Sequence, residues 1–234
     1  MTRICSYTLI ICLCLIYGCR NKTAYGENDD KTDTEVAANL HSEFTDSTNI
    51  GVKGRHKLVL RQYNTPESVE IFFYEKDGDK WVQQQQFAYE MSLILDVKDA
   101  NVQDYNNDGF GDFVYPSDVA ARGGNEIRRL FVYSPIDNKL VYIRNSDFYP
   151  NLEYNEELDC LDAFAIYGGT TTFFLKIDAD TLKQFATVSM WDNQRTVAEL
   201  DENGDVVVLL EDTVTDGPYI RYKNYKPIKE YPED

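Results

Sequence analysis

From Arg55 onward the chain is a succession of short β-branched and aromatic runs broken by turn residues, and no long segment carries apolar residues at helical spacing. Strand candidates are Lys57 to Gln62, Val69 to Tyr74, Trp81 to Phe87, Ser92 to Val102, Phe113 to Tyr115, Arg128 to Tyr133, Leu140 to Arg144, Ala163 to Tyr167, Thr171 to Ile177, Gln184 to Trp191, Thr196 to Leu200, Val206 to Glu211 and Ile220 to Tyr222. Hairpin connectors lie between them at Asp77-Gly78, Asp137-Asn138, Asp178-Ala179-Asp180 and Glu202-Asn203-Gly204-Asp205. The pattern predicts an all-β domain over 54–234, an antiparallel meander forming a sandwich or small barrel-like body. The run Val69-Glu70-Ile71-Phe72-Phe73-Tyr74 does not alternate cleanly, which predicts strands covered on both faces. The 17 Tyr and 12 Phe suit half-wet sheets and need no ligand to explain them.

One loop carries chemistry. Asp104-Tyr105-Asn106-Asn107-Asp108-Gly109-Phe110-Gly111-Asp112 sets oxygen-bearing side chains at positions 1, 3, 5 and 9. A hard cation such as Ca2+ takes six to eight oxygens at about 2.3–2.6 Å, and a tight loop turns alternate residues inward. Asp104, Asn106, Asp108 and Asp112 are therefore candidate ligands, Phe110 offers its carbonyl, and Gly109 permits the sharp turn. Three formal negative charges this close predict a strained or mobile loop when no dication is present. An EF-hand is excluded, because position 12 is Tyr115 and the flanks read as strands. An Asx-rich hairpin turn with no metal is the plainer alternative.

The motif Asp104-x-Asn106-x-Asp108-Gly109-x-x-Asp112, followed by Phe113-Val114, resembles the calcium loop of FG-GAP and VCBS repeats of integrin alpha chains and bacterial surface proteins. Those propellers repeat the loop in several blades, whereas this sequence has it once, which implies at most a partial propeller. The motif also precedes Gly123-Gly124-Asn125, then Arg129-Leu130-Phe131-Val132-Tyr133, then Asp137-Asn138-Lys139-Leu140-Val141-Tyr142. Over about Ser92 to Trp191 this order resembles single-loop bacterial envelope proteins related to periplasmic lysozyme inhibitors and effector-immunity proteins. The resemblance implies a protein partner in the envelope, a hydrolase or secreted effector. The inhibitors' Ser-Gly-x-x-Tyr-type plugging loop has only a remote stand-in, Tyr167-Gly168-Gly169-Thr170-Thr171-Thr172.

The N-terminus sets the expected address. Arg3 precedes an apolar run from Ile4 to Tyr17, several residues short of the roughly 20 that a spanning helix needs. Leu15-Ile16-Tyr17-Gly18-Cys19 resembles the lipobox of bacterial lipoprotein precursors. This predicts a signal peptide at 1–18, lipidation of Cys19 and a membrane-anchored chain. Acyl chains at about 0.8 kcal/mol per buried methylene make a firm anchor. Arg20 in place of an aspartate favours the outer membrane. Residues 19–53 then form the lipidated cysteine and an acidic tether, with a weak helical turn expected over Glu35 to Phe44.

Charge and cysteine usage narrow the function. A formal net charge of −17 repels nucleic acid and favours cations or a basic partner. Cys5, Cys12 and Cys14 fall in the signal segment, so Cys160 stands without an internal disulfide partner and reads as a small buried hydrophobe. Arg122, Arg128 and Arg129 are candidate partner-binding residues, with pairing to the chain's own acids as the plainer explanation. His41 and His56 match no catalytic signature, and zinc lacks ligands, so a non-enzymatic binding module is expected. The alternatives are a carboxylate-dependent glycan hydrolase and a structural envelope lipoprotein.

Overall fold

The computed structural model describes residues 39–93, 95–215 and 219–232. The signal segment 1–18, Cys19 and residues 20–38 lie outside the described residues. The rest is all-β, built as antiparallel meanders in which each strand pairs with its sequence neighbour. The first sheet holds β1 (Leu40–Asp46), β2 (His56–Asn64), β3 (Glu67–Asp77) and β4 (Lys80–Glu90). The second holds β5 (Asn101–Gln103), β6 (Asp112–Ala120), β7 (Asn125–Ser134) and β8 (Lys139–Tyr142). The third runs through β9 (Glu153–Asn155), β10 (Cys160–Ile166), β11 (Thr170–Asp178), β12 (Thr181–Trp191), β13 (Gln194–Leu200) and β14 (Val206–Thr213). A hairpin of β15 (Tyr222–Tyr225) and β16 (Ile228–Glu230) completes the set, and no sheet closes into a barrel.

The sheets stack in chain order around three apolar layers. Leu58, Leu60, Ile71 and Phe73 of the first sheet pack on Phe113, Tyr115, Phe131 and Tyr133 of the second. Val114, Leu130 and Val132 point the other way, onto Leu161, Ala163 and Leu175 of the third. The far side of the third sheet, with Phe174, Val188 and Val197, takes Tyr222, Tyr225 and Ile228 of the terminal hairpin. Successive side chains of a strand alternate faces, so Phe113-Val114-Tyr115 supplies two cores in turn. Strands covered on both faces were expected at Val69 to Tyr74 and instead occur at β6 and β7. In β3, Val69, Ile71 and Phe73 are buried while Phe72 and Tyr74 lie half-buried on the outer face. Arg61 and Lys57 sit over those outer rings at 5.6 and 4.5 Å.

The four connectors expected between hairpins all fall between paired strands. Three expectations fail. Ser92 to Val102 is not one strand: Asp96 accepts the Lys98 amide at 3.0 Å and caps a 3₁₀ turn at Val97–Asp99, and among the described residues of that range only Asn101 and Val102 pair in a sheet, as part of β5. The tether expected to reach Lys53 gives way to β1 from Leu40, and β1 also takes residues 40–44 of the helical turn expected over Glu35 to Phe44. That edge strand needs few apolar groups because β2 satisfies its backbone and Phe44 stacks on Phe113 at 6.2 Å. The strand expected at Ile220 to Tyr222 is β15, which starts at Tyr222, two residues beyond Ile220.

Amide side chains tie one sheet to the next. Gln85 of β4 accepts the Leu140 N–H (2.7 Å) and donates to the Leu140 carbonyl (3.0 Å). Asn125 makes the same two-point contact with Ile166 (2.9 and 3.1 Å), and Asn145 makes it with Leu182 (2.7 and 2.9 Å). A carboxamide presents one donor and one acceptor much as a peptide does, so each residue extends the ladder across a gap between sheets. The terminal hairpin is held by buried Asp162, which accepts from Arg221 Nε (2.8 Å), Asn155 Nδ2 (2.8 Å) and Tyr231 Oη (2.6 Å).

Replacing Asn125 by alanine orphans the Ile166 N–H and carbonyl, at roughly 1–3 kcal/mol for each buried group left unpaired. Urea unfolding of Asn125→Ala is expected to show a loss of about 3 kcal/mol, with Asn145→Ala close behind.

Candidate functional site

The loop from Asp104 to Asp112 joins β5 to β6, where the first two sheets meet. Its rim is knitted by its own polar groups. Asp104 accepts the amides of Asp108 (3.1 Å) and Gly109 (2.7 Å), and Asp108 accepts the Phe110 amide (2.9 Å). Asn106 donates to Asp108 Oδ2 at 2.9 Å. Asp104, Asn106 and Asp108 are thus brought together, as their spacing predicts. Backbone amides partner both rim carboxylates, and Asn107 between them takes a left-handed φ of 56°. Phe110 turns its ring toward Tyr133, 5.6 Å away between centroids.

Asp112 behaves differently from the rim. It is fully buried, with Oδ2 accepting the Tyr105 N–H and Oδ1 accepting the Tyr133 N–H, both at 2.9 Å. Burial pushes its carboxyl up to about 7; the two amide donors oppose that shift, and the nearby Asp108 and Asp104 charges add to it. Beside it Gly111 exchanges two backbone hydrogen bonds with Gly51, at 2.8 and 3.1 Å. A Cβ at Gly111 would fall 2.0 Å from the Asn49 carbonyl oxygen, so only glycine fits this approach. Among the described residues no group of three or more His, Cys, Asp or Glu side chains is arranged to hold a metal ion. The available donor set is two rim carboxylates, the Asn106 amide oxygen and the Phe110 carbonyl, with Asp112 beneath; each carboxylate oxygen already accepting an amide keeps a further lone pair.

The three arginines do not form one patch. Arg128 pairs with Glu126 on its own strand. Arg129, next along β7, faces the other way; its guanidinium sits 4.2 Å from the Tyr89 ring centre and donates to Tyr115 Oη at 3.4 Å. Arg122 is exposed at the Ala121–Gly123 turn. That turn abuts the tip of the third sheet, because Asn125 clasps Ile166 and a Cβ on Gly124 would meet Ile166 Cδ1 at 3.1 Å.

The tip is the part that sequence patterning missed. Tyr167 is 62% exposed and Trp191 is 59% exposed, on hairpins that adjoin through β11. The Trp191 ring lies across the two glycines: a Cβ would come within 3.1 Å of it at Gly168 and 2.8 Å at Gly169. The pair Gly168-Gly169 was visible as the stand-in for a plugging loop. Trp191, more than 20 residues on, carried no local signal.

Neither histidine is placed for catalysis. His56 is buried between Phe73 and Tyr133, its Nδ1 accepting the Val52 N–H at 2.9 Å, and burial lowers its pKa. His41 is exposed on the edge strand β1. Cys160 is buried, and burial pushes its thiol up to about 12.

The chain is thus a stack of open antiparallel sheets with one Asx-rich loop at a sheet junction and an aromatic tip at another. No protein-family model matches it, and no curated protein sequence does. Among solved structures it is similar to a Xanthomonas protein described as Type IV secretion system related. The identity is 11%, the TM-score 0.46, and the match covers 72% of this chain and 93% of that one.

Asp112→Ala leaves two buried amides unpartnered, at roughly 1–3 kcal/mol each. Chemical denaturation in chelator is expected to show a loss of about 3 kcal/mol, while Asp104→Ala, on the exposed rim, costs under about 1 kcal/mol.

Proposed function

We propose that this chain is a calcium-stabilised, non-enzymatic binding module, anchored through Cys19 to a bacterial outer membrane, that acts as an inhibitor or immunity protein against a peptidoglycan-degrading enzyme. The observation that carries the binding role is the tip: two large exposed aromatic rings, one seated on a glycine pair, next to the turn at Ala121–Gly123 that carries exposed Arg122 and whose neighbour Asn125 clasps Ile166. Tyr, Trp and Arg are the side chains that dominate protein interfaces, since each offers large contact area with a polar handle and few rotors to freeze. A rigid projecting hairpin suits a cleft in the partner.

Calcium would be held by Asp104, Asn106 and Asp108 with the Phe110 carbonyl, and Asp112 would lend its charge from below. Bound there, the ion supplies positive charge that offsets three clustered carboxylates. It would fix the loop above the Gly51–Gly111 bridge. The arrangement also weighs against the glycan-hydrolase alternative. Asp112, whose pKa near 7 would suit a general acid, is fully enclosed, with an amide on each oxygen.

Two measurements test the reading. Thermal melts of the full chain are expected to rise with calcium and not with magnesium, by about 2.7 kcal/mol at a hundred times the dissociation constant. Asp108→Ala should remove most of that gain, and an unmoved melting temperature at saturating calcium would remove the metal from the proposal. In turbidity assays on purified peptidoglycan, the full chain is expected to inhibit lysozyme-type muramidases. Tyr167→Ala and Arg122→Ala should weaken that inhibition about tenfold or more at unchanged melting temperature. A panel of muramidases left untouched by the chain overturns the inhibitor role.

A further inference from the structure

The third sheet ends in a strand that nothing covers among the described residues. β14 carries Val206-Val207-Val208-Leu209-Leu210, and all five side chains are exposed, Val206 at 68% and Val208 at 51%. On one side β14 pairs with β13; on the other its backbone is open, since it is the last strand of the sheet. Folded chains usually blunt such an edge with charges inside it, a proline or a covering loop. Here the apolar run itself has none of these; a register shift opposite Val197 and Ala198 is the one irregularity.

The run is bracketed by acids. Asp201, Glu202 and Asp205 are exposed before it and Glu211 is exposed at its end. The turn that carries the first group is rigid, because Asp201 accepts the amides of Asn203 (2.8 Å) and Asp205 (2.9 Å). Asp212 is already matched by Arg195, at 2.9 Å from its Nε, which leaves Glu211 as the open charge at that end.

We infer that β14 is a docking edge for an extended segment of another polypeptide, apolar in its middle and carrying Lys or Arg at both ends. An added strand takes its affinity from main-chain hydrogen bonds and its selectivity from side chains on the two faces. Here the faces are apolar and the termini of the docked strand meet carboxylates. A second copy of this chain fits poorly: antiparallel self-pairing centred on Val208 sets Asp205 opposite Glu211, and like charges directly opposite are destabilising. The inference goes beyond the proposed inhibitor role, because it uses the open backbone edge of β14, in a different sheet from the metal loop and separated from the Tyr167 hairpin by β12 and β13.

The test is fluorescence anisotropy with the full chain in chelator and a labelled probe of sequence Lys-Lys-Val-Thr-Val-Thr-Val-Lys-Lys. Saturable binding is expected, weakening steeply with added salt. A probe with glutamate in place of every lysine is expected to bind at least about tenfold more weakly. A probe N-methylated on alternate residues should also lose binding, because it keeps the charge but not the ladder donors. Val206→Lys and Val208→Lys, both at exposed positions that tolerate a long side chain, should each weaken the basic probe about tenfold at unchanged melting temperature. The inference is overturned if the acidic or N-methylated probe binds as well as the basic one, or if neither substitution matters. A dimer in sedimentation that Val206→Lys dissolves would give the edge to a second copy and overturn it equally.

Discussion

Side chains that imitate a peptide group hold this structure together. Open antiparallel sheets end in unpaired N–H and C=O groups, and those that face a neighbouring sheet cannot reach water. Gln85, Asn125 and Asn145 each close such a gap with one donated and one accepted hydrogen bond. Asp112 does the acceptor half twice, for Tyr105 and Tyr133. Each contact stabilises modestly when made and costs more when half made, because the partner left behind is a buried, unsolvated backbone group. The register between sheets is therefore set by a few polar atoms, and the apolar layers fill in around them.

That arrangement makes the acidic loop a structural junction before it is anything else. Asp112 roots it in the second sheet, and Gly111 ties it to the turn at Gly51. Packing there is tight enough that His56 Nδ1 would lie 2.5 Å from a Cβ on Gly51. Charge placed on the rim at Asp104 and Asp108 is felt by the buried Asp112, whose raised pKa owes part of its shift to both. An ion at the rim would change the electrostatics of a group that two sheets share. Anything that gathers at the loop acts directly on the seam of the fold.

The surface is divided with similar economy. Most of the excess negative charge is solvated, while the third sheet exposes apolar side chains at two places. One is the hairpin tip, with Tyr167 exposed and the exposed Trp191 ring lying across Gly168 and Gly169. The other is the β14 edge, where a whole strand is bare between acids. A stack of meanders produces such features naturally, since its last sheet must end in a free edge and its hairpins must turn at one end or the other.

The strand pattern after Arg55, the hairpin turns and the spacing of Asp104, Asn106 and Asp108 were legible in the residues alone. Local chemistry decides them: β-branched and aromatic runs extend, Asx-Gly pairs turn, and alternate residues of a tight loop face the same way. β1 was not legible, because an edge strand borrows its stability from β2 and leaves little apolar signature in Leu40–Asp46. Nor were the roles of Asn125 and Asp112, whose burial is set by partners 41 and 21 residues away. The approach of the Gly124-Asn125 segment to Ile166 and the separation of Arg128 from Arg129 also waited on tertiary structure. Sequence neighbours on a strand point to opposite faces, while distant turns meet only when sheets stack.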